Sequence, residues 1–158
     1  MEKFLVDIML GKLAKWLRLL GYDTIYTSIS NSRELQDFLE KGYVFLTRRR
    51  AWQHYRILRN KPIYLVQNNE VLEQLCEVIK EFHLQFSPEL FCSRCLLCNT
   101  LLVEKDKTEI ASYVSDYVLH NFNHFKQCPK CKRIYWSGSH KKRMQERLKQ
   151  CFTEDHKS

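Results

Sequence analysis

The side chains with the clearest chemistry in this sequence are sulfurs. "CSRCLLCN", residues 92–99, and "CPKC", residues 128–131, place cysteines at two-residue gaps on separate stretches. Two such knuckles supply four thiolates to one tetrahedral zinc, and the short gap lets neighbouring backbone amides donate to the sulfurs. Cys128 and Cys131 are unambiguous. On the first knuckle Cys92, Cys95 and Cys98 form two overlapping pairs, and spacing alone does not choose between Cys92/Cys95 and Cys95/Cys98. A four-thiolate site leaves no position open for water, so the expectation is a structural Zn²⁺ that holds the fold and does no chemistry. Cys76 sits on an apolar helical face, and it and Cys151 read as buried core thiols.

A second chemistry lies in the charged residues. "YVFLTRRR", residues 43–50, begins as a buried strand and ends in three arginines. From Lys126 to Lys149 there are nine basic residues and one acid, Glu146, interleaved with Phe125, Tyr135, Trp136 and His140. Positive side chains release counterions from phosphates, and exposed rings stack on unpaired bases, so the cluster points to nucleic acid. For any single lysine a solvated helix face is the simpler account.

The elements that must position these groups read as two units. Residues 1–90 alternate strand-like and helix-like segments, the pattern of βαβ units and a mainly parallel sheet. "KFLVDIML" is a continuous apolar run ending near Asp7, as in a strand covered on both faces. Leu13, Trp16, Leu17 and Leu20 repeat at helical spacing, with Gly21 as the stop. Asn31 and Glu34 form a capping box for a helix carrying Leu35, Phe38 and Leu39. A helix is expected over "AWQHYRILRN", then a strand "IYLV" and a helix from Glu70 to Phe82. Residues 91–158 are cysteine-rich and more basic, with 13 Lys and Arg against 7 Asp and Glu, whereas residues 1–90 have 13 against 11. The stretch between the knuckles is about twice the usual ribbon spacing, and "TEIASYVSDYVL" within it looks helical.

The 158-residue chain carries a net charge of +8 and a sequence pI near 9.2, which favours a polyanionic partner. No apolar run approaches the roughly 18 residues that span a bilayer. "FLVDIML" is too short for the apolar core of a signal peptide and contains Asp7. The expected location is therefore cytoplasmic, with no membrane partner. In open parallel sheets ligands bind at the carboxyl ends of strands, where Asp7 lies. A nuclease there needs several carboxylates converging on Mg²⁺ or Mn²⁺, because a hard cation must be held by oxygen while it activates water.

The chain resembles the Mut-seven C-terminal RNase domain family, a PIN-like nuclease fold followed by a zinc ribbon. The stretches carrying the likeness are "FLVDIMLGKLAKWLRLLGYDTIY", "YVFLTRRR", "RCLLCNTLL" and "CPKCKRIYWSGSH" followed by "RM". The resemblance implies a PIN-like α/β domain over residues 1–90 and a small four-cysteine zinc ribbon with a basic C-terminal helix over 91–158. It places the family's Arg-Cys-x-x-Cys-Asn on Arg94, Cys95, Cys98 and Asn99, so the implied ligands are Cys95, Cys98, Cys128 and Cys131, with Cys92 spare. Family members typically read Thr-Arg-Asp at the end of the third strand, and that Asp is an expected active-site acid. Here Arg49 stands in its place, after Thr47 and Arg48. A second expected acid falls in "SNSRE", where Asn31 and Ser32 are neutral. Asp7 is retained, and Asp23 matches a position that looks structural.

Three functional expectations follow. In the first, a PIN-like RNase-family protein binds RNA, with single strands expected, through Arg48, Arg49, Arg50 and a ribbon surface of Lys132, Arg133, Trp136, His140, Lys141 and Lys142, with catalysis reduced or lost. In the second, an active metal-dependent ribonuclease uses Asp7 with displaced acids Glu34 or Asp37, and Mg²⁺ or Mn²⁺ belongs only to this reading. In the third, the zinc ribbon is an adaptor docking on an acidic protein. Trp52 and His54 read as packing and rim residues.

Overall fold

The computed structural model describes residues 1–153. Four parallel strands, β1 (Lys3–Val6), β2 (Asp23–Tyr26), β3 (Tyr43–Thr47) and β4 (Ile63–Leu65), form one sheet in the order β2-β1-β3-β4. The strands are short apolar runs because helices cover both faces. Alternation sends Phe4, Val6, Val44 and Leu46 to one side, where they meet Leu13 and Leu17 of α1 (Gly11–Leu19) and Leu75 and Val78 of α3 (Val71–Glu81). Leu5 and Phe45 face the other side, against Leu35 and Leu39 of α2 (Ser32–Glu40) and Trp52 and Leu58. Phe4, Leu5, Phe45 and Leu46 are fully buried, each contributing about 1.5–3 kcal/mol relative to exposure. The expected parallel α/β architecture is present.

Two expected helices differ. "AWQHYRILRN" forms two 3₁₀ turns, Arg50–His54 and Arg56–Leu58, and no α-helix. Tyr55 between them has extended backbone, φ −76° and ψ 117°, and Asn60 is left-handed at φ 62°. Burial of Trp52 and Leu58 under β3 outweighs the helical pattern here. "TEIASYVSDYVL" divides into α4 (Lys107–Ile110) and α5 (Asp116–Asn121), because Ser115 accepts from the Val118 amide and starts a new helix.

Beyond residue 90 lies an antiparallel sheet of β5 (Val103–Lys105), β6 (Phe125–Gln127) and β7 (Ile134–Trp136), in that order, followed by α6 (Ser139–Thr153). This stretch does not have a core wholly its own. Phe91, Leu148 and Cys151 are buried in the cluster that fills the α1/α3 face of the parallel sheet. α6 lies on α3, and their apolar faces bring Cys76 and Cys151 to a Cα–Cα distance of 4.7 Å, joined as a disulfide. That corrects the expectation of two buried thiols: a core position on each of two facing helices is also bonding distance for sulfur. The last five residues of the expected 91–158 unit, His156 among them, lie outside the described residues. Among those described, no helix is long and apolar enough to cross a membrane.

Candidate functional site

β1 delivers Asp7 to the carboxyl edge of the sheet. Its amide still donates to the Leu46 carbonyl of β3 at 3.0 Å, while its side chain caps the 3₁₀ turn Ile8–Leu10 by accepting from the Ile8 amide at 2.9 Å. β3 ends beside it. Thr47 Oγ1 donates to Asp7 Oδ2 at 2.7 Å and accepts from the Arg49 amide at 3.0 Å, which turns the chain so that the Arg49 side chain faces back. The Arg49 guanidinium then closes on Asp7 with both prongs, Nε to Oδ2 at 2.7 Å and Nη2 to Oδ1 at 3.0 Å. Its carbon lies 5.3 Å from the centre of the Trp52 ring, which adds a cation–π contact.

Asp7 is fully buried, whereas the Arg49 side chain is 38% exposed. A carboxylate has about four lone-pair positions. The Ile8 amide, the Thr47 hydroxyl and the two Arg49 donors occupy all of them. A divalent cation at this edge would have to displace a charge-assisted, bidentate guanidinium.

The other acids expected at this pocket are engaged elsewhere or turned outward. Glu34 Oε2 accepts from the Ser30 amide at 2.9 Å, and Asn31 Oδ1 accepts from the Glu34 amide at 2.9 Å, so Glu34 serves the start of α2. Asp37 is exposed on the same helix. Among the described residues the only group of three or more Cys, His, Asp or Glu side chains close enough to share an ion is a set of four cysteines. Arg48 is clamped, Nη1 donating to the Gln67 and Asn68 carbonyls and Nη2 to Asn69 Oδ1. Arg50 is exposed. The three arginines thus have different duties: one fixes a loop, one seals the acid, one faces solvent.

Glu77 is a structural acid that sequence reasoning missed. From α3 it accepts from the Gln67 and Asn68 amides, the Asn68 side chain and the Tyr64 hydroxyl, at 2.7–3.0 Å. Burial alone would raise its pKa, but these donors hold it below the ordinary value. It shapes the loop that holds Arg48. A mid-helix acid with Lys80 three residues on reads as an ordinary solvated helix pair and carries no signal for that role.

The four cysteines are Cys95, Cys98, Cys128 and Cys131, with sulfurs all within 4.8 Å of one another. The two knuckles share one geometry. Asn99 and Lys132, each following its second cysteine, are left-handed at φ 64° and 65° and donate their amides to the Cys95 and Cys128 carbonyls, each at 2.9 Å. The Cys98 and Cys131 amides point at Cys95 and Cys128 Sγ, each at 3.4 Å. Cys95 and Cys131 Sγ are 3.7 Å apart, matching the edge of about 3.8 Å that follows from a tetrahedron with metal–sulfur bonds of about 2.3 Å. The donor set therefore fits a tetrahedral, thiophilic ion. Tyr135 supports it from outside: its hydroxyl lies 3.2 Å from Cys95 Sγ and accepts from the Leu96 amide at 3.1 Å. Burial raises the Cys95 thiol, yet the Tyr135 hydroxyl and nearby amides outweigh it and bring the group down to about 7. Cys92 is outside the cluster, half-buried, its thiol raised by burial.

The first knuckle is bolted to the parallel sheet. Buried Arg18 of α1 donates to the Thr24 carbonyl and to the Leu96 and Leu97 carbonyls between the two cysteines. Asn99 Nδ2 donates to Asp23 Oδ1 at 2.6 Å while its Oδ1 accepts from the Thr24 amide, so Asp23 is a structural acceptor. Arg94 donates to the Gly21 carbonyl at 2.9 Å. Gly21 is left-handed at φ 96°, and a Cβ there would lie 2.5 Å from the Leu90 carbonyl oxygen.

The basic candidates lie on the outer side of this assembly. Lys132 and Arg133 are exposed beside the second knuckle, and Trp136 ends β7, 40% exposed with its ring centre 6.1 Å from that of Phe122. His140 and Lys142 are exposed on the first turn of α6, and half-buried Lys141 lies 5.7 Å above the Phe91 ring.

A search of curated proteins finds no match to the chain. The model of the family described as Mut7-C RNAse domain matches residues 2–148, from β1 through the four cysteines and most of α6. With sheet, cysteine cluster and joining arginines all inside that match, the chain belongs to the Mut7-C RNAse domain family.

Proposed function

We propose that this chain binds RNA on an RNase scaffold whose metal-dependent nuclease site has been closed by an internal ion pair. The observation that carries this reading is the bidentate Arg49–Asp7 contact at 2.7 and 3.0 Å. Where the family resemblance leads one to expect a second acid, a guanidinium supplies the positive charge that a bound cation would bring, and it saturates the one acid retained. Replacing a carboxylate by guanidinium changes the local charge by two units and adds repulsion toward Mg²⁺ or Mn²⁺. Glu34 and Asp37 do not compensate, since neither makes a hydrogen bond to Asp7 or to the residues around it.

The RNA-binding part of the reading rests on charge and exposure. Arg50 is exposed just after β3, Lys132, Arg133, His140 and Lys142 are exposed beside the second knuckle and on the first turn of α6, and Trp136 is exposed at the end of β7. Lys141 and the outer edge of Arg49 add partly exposed charge, whereas Arg48 acts by holding its loop. This arrangement suits single strands, whose phosphates meet the cations while bases stack. In the same reading the cysteine cluster takes one structural Zn²⁺, which holds the second knuckle against the first. Filter binding of a labelled single-stranded RNA across a salt series tests it. Affinity should fall linearly in log–log form, and Lys132→Ala/Arg133→Ala should reduce the slope by about 1–2. Salt-independent binding, or none, would favour the adaptor reading.

A further inference from the structure

Helix α1 connects the sealed acid to the ribbon. At its start Asp7 accepts from the Ile8 amide, the Tyr26 hydroxyl donates to the Ile8 carbonyl at 2.8 Å, and the helix proper opens at Gly11. At its end the Leu19 carbonyl accepts from the Cys92 amide at 2.8 Å, and Arg18 donates to the Leu96 and Leu97 carbonyls. Lys141 of α6 reaches this same end, lying over the ring of Phe91, the residue before Cys92.

Almost all of α1 is covered. From Leu13 to Leu20 every residue except Lys15 is buried, and Lys12 is exposed one turn earlier. Lys12, Lys15 and Leu19 are spaced by three and four residues and so share one face of the helix, which runs about 14 Å at 1.5 Å per residue. Neither lysine makes an ion pair among the described residues, and residues 8–22 contain no Asp or Glu. Neighbouring like charges about 5–6 Å apart at Cβ give α1 itself no stability. The opening left on this helix is therefore a purely basic one.

The ribbon end carries both signs of charge. Leu19 lines a cleft with Lys105, Lys126, Lys141, Glu104, Asp106 and Glu109. Glu109 lies 3.6 Å from Lys105, Asp106 and Glu109 form the capping box of α4, and Glu104 stands opposite Lys126 in the β5–β6 register. Lys141 is the lysine here without an acid opposite it. A lipid surface fits α1 poorly, because interfacial helices insert an apolar face, and the apolar faces of α1 are buried in the core.

We infer that a single RNA strand bound at the ribbon continues from Lys141 along α1 toward the Arg49–Arg50 edge, with Lys15 and Lys12 meeting successive phosphates. The inference rests on the RNA-binding reading above and adds to it a path and two contact residues. It joins Arg50, after β3, to the basic first turn of α6 by the one helix that touches both regions.

The test uses the zinc-loaded full chain and filter binding of a labelled oligouridylate across a salt series. Each phosphate contact on a single strand contributes about 0.7 to the slope of log affinity against log salt, so Lys12→Ala/Lys15→Ala should lower that slope by about 1.4. Lys61→Ala/Lys80→Ala removes the same charge from exposed positions before β4 and on α3, and it should leave the slope unchanged. Circular dichroism confirms the fold of both variants. An unchanged slope in the α1 variant, or an equal fall in both variants, would overturn the path. In either case salt-sensitive binding by the unaltered chain leaves the RNA reading standing. If the unaltered chain binds no RNA, that reading fails and the path fails with it. Vesicles containing phosphatidylserine supply the other polyanion. Retention on them that is lost in Lys12→Ala/Lys15→Ala, with the RNA slope unchanged, would assign the pair to a lipid surface and overturn the inference.

Discussion

Arg49 holds both oxygens of Asp7, a side chain with no solvent exposure, in a two-pronged contact at the carboxyl edge of the parallel sheet. Pairs of this kind are weak net contributors to stability, but losing one partner strands the other. In the proposed reading the arginine is both a block to cations and a requirement for keeping the acid buried.

Arg49→Ala should destabilise the chain by about 3 kcal/mol, because Asp7 would keep its burial and lose its counter-charge. Adding Asp7→Asn should recover a large part of that loss. Chemical denaturation of the two single variants and the double variant measures the coupling. Additive effects would mean that the contact is absent in solution.

Metal analysis should find one zinc per chain, falling to none in Cys128→Ser. Binding free energies of structural zinc sites run to about 10–16 kcal/mol at neutral pH, so chelation should melt the ribbon. The parallel sheet should outlast it, because its core on the α2 face contains no residue beyond Ile63. Hydrogen exchange would show fast exchange in β6 and β7 and protection retained in β1 and β3.

Glu77 should make stability depend on pH in acid. Its folded pKa is depressed, so near and below the ordinary carboxylate value of about 4.3 the unfolded chain binds more protons and stability rises with pH. The contribution is complete above that value and is lost as pH falls through the lower folded pKa. Since the group is partly exposed, it amounts to about 1 kcal/mol. Glu77→Gln should be less stable at pH 7 by that amount and show a flatter acid limb in denaturation between roughly pH 5 and 3.

Gly21→Ala should cost about 2–3 kcal/mol, from a left-handed backbone and a Cβ placed 2.5 Å from the Leu90 carbonyl oxygen. The damage should extend to the junction with the ribbon, because Arg94 holds the Gly21 carbonyl. A drop in melting temperature accompanied by faster exchange at the first knuckle would register both effects.

The parallel sheet was legible because its strands are short apolar runs spaced by helical periodicity, and those two signals agree from Phe4 to Ile79 except over residues 51–60. The cysteine set was legible through the family's Arg-Cys-x-x-Cys-Asn, where spacing alone left Cys92 in competition. What failed to show was decided by contacts distant in sequence. The 3₁₀ turns around Trp52 follow from burial under β3, and the Cys76–Cys151 disulfide joins residues 75 apart. Arg49 was conspicuous as a substitution, but only the return of the chain at Thr47 reveals that its guanidinium lands on Asp7.

The most direct test of the sealed site is incubation of the zinc-loaded chain with labelled single-stranded RNA and Mn²⁺, beside Asp7→Asn and Arg49→Asp. The account predicts that the unmodified chain binds the RNA and leaves it intact, and that Arg49→Asp gains Mn²⁺ affinity. Cleavage by the unmodified chain that disappears in Asp7→Asn would contradict it, and would show that Asp7 works with other acids despite the arginine.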